Sequence, residues 1–217
     1  MATSPDSQWI DISRPLSPQT ACWPGDVPYS FSLGWKMSNG ASVNVGSITT
    51  SVHTATHCDA PFHFDAEGVS VDHIPLDVFL GPAWVVDVRH CLDDWLVALQ
   101  PLSDQSVQRV LFHTGGWHDT ARFPEGIPTM QPQTIAWLIA QGVKLIGVDL
   151  PSVDELDSKD LPNHHALGKA GITIVEGLWL DDVRAGEYEL LAAPLKLIGT
   201  DGAPLRALLR ELFSRSG

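Results

Sequence analysis

The sequence predicts a β-rich α/β protein forming one domain over residues 1–217. Three observations carry that expectation. Short runs of β-branched and aromatic residues recur along the chain, and few stretches show helical spacing. Some runs are nearly continuous in apolar residues, as in Ala83-Trp84-Val85-Val86-Asp87-Val88, which suits strands covered on both faces. The 217 residues, 44% of them hydrophobic, suffice for one core, and no repeat, low-complexity segment or linker divides them.

Trp9 to Pro15 reads as a short opening strand. Cys22-Trp23-Pro24-Gly25-Asp26 is a turn, and Trp23 at its edge suits a pocket wall as well as a core. Residues 41–56 are rich in β-formers, and the run from Ile48 to Thr56 reads as a strand closed by Ala60-Pro61. Gly68 to Pro75 form a turn. Strands are expected at 83–88 and 110–114, with a helical turn between them capped by Ser103-Asp104 and running to Gln108. A helix follows from Gln133 to Gln141, with Ile135, Leu138 and Ile139 on one face and Gly142 at its end. Val143 to Leu150 is a strand stopped by Pro151. Residues 151–165 form a polar loop, followed by a helix over Ala166 to Ala170. Strands over 172–176 and 189–193 and a terminal helix over 204–213 complete the chain.

The formal charge of −13 disfavours nucleic acid and anionic membranes as partners, since both need a positive surface. No apolar run approaches a membrane span, and the start Met1 to Gln8 lacks the features of a signal peptide, so a soluble cytoplasmic protein is expected. Cys22, Cys58 and Cys91 are odd in number and lack CxxC spacing, which fits reduced thiols.

Chemistry concentrates in Ser51 to Phe64. His53, His57, Asp59 and His63 share one parity, so an extended chain aims the first three at one face with Ala55 between the histidines. A helix would also bring His53 and His57 together, one turn apart. Either way two imidazoles and a carboxylate converge, a donor set suited to a divalent metal. Cys58 points the other way on a strand and reads as a small core residue. Two further candidates lie far along the chain. His164-His165 end the polar loop, and Glu176 ends the apolar run from Ile172. A buried carboxylate needs a partner, either an arginine or a metal, and only 13 Lys and Arg serve the chain.

The run His53-Thr54-Ala55-Thr56-His57-Cys58-Asp59-Ala60-Pro61-Phe62-His63 resembles the H-T-G-T-H-x-D-A-P-x-H signature of the cyclase family of metal-dependent hydrolases. Ala55 stands where that signature has Gly. The likeness extends over essentially the whole chain, through Asp11-Ile12-Ser13, Trp23-Pro24-Gly25-Asp26, Thr114-Gly115-Gly116-Trp117, Gly147-Val148-Asp149, Ser152-Val153-Asp154, Ser158 to His164, Glu176-Gly177-Leu178 and Gly199 to Pro204. These flanking runs are similar to a bacterial branch of the family that removes the formyl group from N-formylkynurenine.

The resemblance implies a swivelling β/β/α-type fold, a homodimer, a small-molecule substrate and arylformamidase chemistry. It implies two zinc ions per chain, although the ligand types also suit manganese or another divalent metal. His53, His57 and Asp59 would hold the first ion, Asp59 would also reach the second, His164 would bind the second, and Glu176 would bridge both. His165 is the alternative to His164. His63 would move the proton, against a reading in which it only orients a ligand, and Trp23 would stack on the substrate ring. Two rival readings follow. One is a family relative acting on another cyclic or aryl amide, of the isatin hydrolase type. The other is a metal-stabilised binding module without catalysis.

Overall fold

The computed structural model describes residues 9–212. Met1 to Gln8 and the Phe213 end of the expected terminal helix lie outside it. The strands are β1 (Ile10–Asp11), β2 (Ser30–Trp35), β3 (Val45–Thr49), β4 (His57–Asp59), β5 (Leu80–Asp87), β6 (Arg109–His113), β7 (Leu145–Val148), β8 (Thr173–Glu176), β9 (Gly186–Leu191), β10 (Gly202–Pro204) and β11 (Leu208–Glu211). The helices are α1 (Leu96–Leu99), α2 (Pro132–Ala140) and α3 (Pro162–Lys169).

Nine strands form one mixed sheet in the order β1-β11-β9-β5-β6-β7-β8-β4-β10. β5 to β8 run parallel, with α1, α2 and α3 in the crossovers between them. The remaining strands pair antiparallel on both sides of this block. The apolar runs alternate between two cores, as strands covered on both faces must. Val110 and Phe112 of β6, Ile146 of β7 and Ile174 of β8 pack with Leu138 of α2 and Leu167 of α3. Leu111, Leu145 and Val175 enter the other core, together with Ile12, Cys58, Ala203 and Leu209 from strands near both ends of the sheet. Strands that far apart share a core only because the sheet curls. β2 and β3 form a separate hairpin.

Three expectations are corrected. The strand over Ile48 to Thr56 is two strands, β3 and β4, separated by an irregular turn. Ala55 takes a left-handed conformation at φ 61°, which no extended run accommodates. The Ser103-Asp104 helical turn lies earlier instead. Helix α1 and the 3-10 turn after it span Leu96–Leu102, and Ser103 ends them. The terminal stretch is not helical. Leu208 to Glu211 pair with Leu191 to Tyr188, and Arg210, opposite Glu189, forms an ion pair with it. The free edge of β9 overrides a helix-like apolar spacing. Two smaller differences concern the helices. Ile139 is 48% exposed, off the buried face of α2. Helix α3 begins four residues before the expected Ala166 and takes both His164 and His165 into its first turn.

One close approach ties the two halves of the site together. Gly177 follows β8 at φ 67°, and a Cβ there would lie 2.0 Å from the Ala55 carbonyl oxygen. Thr56, next to Ala55, donates its hydroxyl to the Gly177 carbonyl at 2.6 Å. Only glycine fits. We expect Gly177→Ala to cost about 3 kcal/mol or more, from left-handed strain plus the clash, measured by urea unfolding. A loss under about 0.5 kcal/mol would show that the turn yields readily.

Candidate metal centre

The antiparallel register of β4 and β8 sets His57 directly opposite Glu176. Strand alternation turns His57 and Asp59 to one side and Cys58 to the other, into the core. Burial and the neighbouring Asp59 charge push the Cys58 thiol up to about 12, so it stays an inert neutral group. His53 reaches the same place from the irregular turn, not from a strand. Its Nδ1 lies 3.0 Å from Asp59 Oδ1. Parity therefore holds for His57 and Asp59 alone.

From the first turn of α3, His164 points its Nε2 between the acids, 3.5 Å from Asp59 Oδ2 and 3.6 Å from Glu176 Oε1. Its neighbour His165 is exposed and lies against Phe64, away from this cluster. Two sets of three thus share Asp59: His53, His57 and Asp59, and Asp59, His164 and Glu176. A third set, His53, His63 and Asp201, lies nearer the surface. His63 borders the cluster, with its ring centroid 4.0 Å from His53 and 5.9 Å from His164.

The electrostatics are those of an ion site. Asp59 and Glu176 are 2% and 3% exposed, and among the described residues no Lys or Arg forms an ion pair with either. Burial favours their neutral forms. For Asp59 this is outweighed by the imidazoles of His164, His53 and His57 set close around its carboxylate, which hold it well below the usual carboxylate range. Glu176 is raised, by burial and then by the Asp59 charge. Burial pulls His57 and His164 down, but their carboxylate partners prevail and both rise to about 10. His63 is lowered, first by burial, with the charges of His53 and His164 adding to it. His57 Nε2 and Asp59 Oδ2 are buried without any hydrogen-bond partner. Such orphaned atoms are costly, and their convergence on a common space fits a divalent cation as the missing partner.

Supporting residues also become visible. Asp154 is buried, accepts the His164 Nδ1 proton at 2.7 Å, and takes the Asn163 and His164 amide protons at 2.9 and 3.0 Å. It caps α3 in place of Leu161, which offers no side-chain cap, and leaves His164 Nε2 for the centre. Asp201 lies 2.9 Å from His53 Nε2 and 3.6 Å from His63 Nδ1. Sequence spacing alone gave neither acid a role. Asp154 is one of several acids in a polar stretch and Asp201 a lone acid in a glycine-flanked turn, and only the tertiary fold selects them.

Above the cluster opens a cavity of about 320 Å³. Trp23 forms a wall, 36% exposed and held edge-on by Phe123 at 5.2 Å. His53, His57, His63, His164 and Glu176 line the same cavity.

Fold and site together are those of a metal-dependent hydrolase. The Cyclase family model ("Putative cyclase") matches residues 10–155, and the chain belongs to that family. It is 48% identical over 204 residues to the kynurenine formamidase of Geobacillus thermodenitrificans strain NG80-2, covering 94% of this chain and 98% of that protein. Among solved structures, a "potential metal-dependent hydrolase with cyclase activity" superimposes with a TM-score of 0.77 at 29% identity, over 95% of this chain and 100% of the other. Isatin hydrolase A from Ralstonia solanacearum does so with a TM-score of 0.77 at 28% identity, over 94% of this chain and 92% of that one. No helix among the described residues is long and apolar enough to cross a membrane.

Proposed function

We propose that the protein is an arylformamidase, hydrolysing N-formyl-L-kynurenine to L-kynurenine and formate in tryptophan degradation. The observation that carries this reading is the pair of donor sets sharing Asp59 at the end of a cavity walled by Trp23, with His63 beside them. The 48% identity to a kynurenine formamidase, against 28% to an isatin hydrolase, favours the linear formamide over the cyclic amide.

In this reading His53, His57 and Asp59 would hold one zinc ion, Asp59 and His164 a second, and Glu176 would serve both, with manganese or another divalent metal as substitute. Divalent cations there supply Lewis acidity and bring the pKa of a water to about 7. The chain's own residues do the rest. Trp23 stacks on the aryl ring and directs the formyl group inward. His63 takes a proton from the attacking water and returns it to the departing aryl nitrogen, which is a poor leaving group unless protonated. Asp201 near Nδ1 leaves His63 Nε2 for that transfer. No serine or cysteine nucleophile is needed.

We read residues 1–217 as one hydrolase domain, cytoplasmic and homodimeric. The hairpin β2–β3 supports the dimer. It exposes Phe31, Trp35, Val45 and Ile48, an apolar surface unusual for a lone chain.

Two experiments test the reading. Metal-loaded protein is given N-formylkynurenine and isatin in parallel, with formate release and ring opening as readouts. Formate release with slower isatin opening is expected, whereas absence of formate above background ends the claim, and turnover of neither substrate would leave a binding module. The second experiment concerns protons. His57 and His164, raised to about 10, must be deprotonated to ligate a cation. Ion uptake below pH 10 therefore releases protons, and affinity rises with pH. Calorimetry in buffers of different ionisation heat should show this release, and pH-independent affinity would contradict it.

A further inference from the structure

We infer that Asp26 and Glu155 select the substrate by its α-ammonium group. The inference rests on the deformylase reading and deepens it. Two tight turns face the cavity, and each gives it two residues. In one, the Asp26 amide donates to the Trp23 carbonyl at 3.0 Å, so Trp23 and Asp26 are its ends. In the other, the Ser158 amide donates to the Glu155 carbonyl at 3.0 Å, and Glu155 and Ser158 are its ends. All four line the cavity.

Charge is divided along this cavity. At its buried end Glu176, with Asp59 outside the lining, is matched by histidines and the proposed cations. At its solvent end Asp26 is partly exposed and Glu155 exposed. Among the described residues no Lys or Arg lines the cavity, and their Lys and Arg ion pairs engage other acids. Asp26 Oδ1 accepts the Val27 amide proton at 2.6 Å, which fixes its carboxylate. The solvent end thus carries two carboxylates without a Lys or Arg ion pair among the described residues.

An N-formylated aryl amine bound with its formyl group at the buried end, and its ring on Trp23, extends its side chain toward that end. If the side chain is an amino acid, its ammonium meets the two carboxylates and its own carboxylate turns to solvent. A neutral side chain gains nothing there. One bearing only a carboxylate is repelled.

The test compares three substrates in metal-loaded protein: N-formylkynurenine, its analogue lacking the α-amino group, and 2-formamidoacetophenone, which lacks both charges. The double variant Asp26→Asn, Glu155→Gln should lower kcat/KM for N-formylkynurenine about tenfold, chiefly through KM. It should raise kcat/KM for the deaminated acid and keep that for the uncharged formamide. Parallel changes on all three substrates, or none, overturn the inference while the deformylase reading stands. If the unaltered protein releases no formate from N-formylkynurenine, both fall together.

Discussion

Glu176→Gln should leave a folded protein that has lost ions and nearly all activity. Glu176 spans both donor sets through different oxygens. Its Oε2 lies 3.5 Å from His57 Nε2, and its Oε1 lies 3.6 Å from His164 Nε2 while accepting the Val153 amide proton at 3.0 Å. Glutamine has the same shape and can still accept from Val153, so the local packing survives. What disappears is one negative charge and one acceptor, replaced by an amide donor facing His57. A change that only weakens the support of a metal typically costs about 10–100-fold in affinity or activity, and a shared ligand should cost at least the upper figure. Elemental analysis should fall from two ions per chain to one or none, with formate release down about 100-fold or more. Asp59→Asn should do the same, because Asp59 belongs to both sets. Two ions retained in both variants would sink the shared-ligand assignment.

His63→Ala should do the opposite, keeping the ions and losing the chemistry. Its side chain is 32% exposed, so its removal leaves no large buried void. General acid–base catalysis typically contributes about 10²–10⁴-fold, and kcat should fall by that amount with metal content unchanged. Loss of an ion together with activity would instead mark His63 as a ligand, in the set it forms with His53 and Asp201. Unchanged kcat would reduce it to a bystander.

The sequence showed part of this plainly. The central strands were readable because β5 to β8 are covered on both faces and their apolar runs admit no other use. His57, Asp59 and Glu176 were readable because two are on one strand at strand spacing and the third is the lone charge ending an apolar run. His53 was named correctly as a neighbour for an incorrect geometric reason. The left-handed Ala55 breaks the strand, and the turn that results is held by contacts 121 residues away, at Gly177. No local pattern encodes such a contact. Strand β11 escapes a local reading for the same reason, since its partners β9 and β1 decide its conformation. Asp154, among other acids, and Asp201, alone in a turn, gain their roles only when the fold sets them against His164 and His53.

The most direct test is an anomalous-scattering map of crystals grown with zinc. Two peaks are predicted, one against His53, His57 and Asp59 and the other against Asp59, His164 and Glu176, with His63 ligating neither. A peak bound by His53, His63 and Asp201, or no peak at Glu176, would contradict the account.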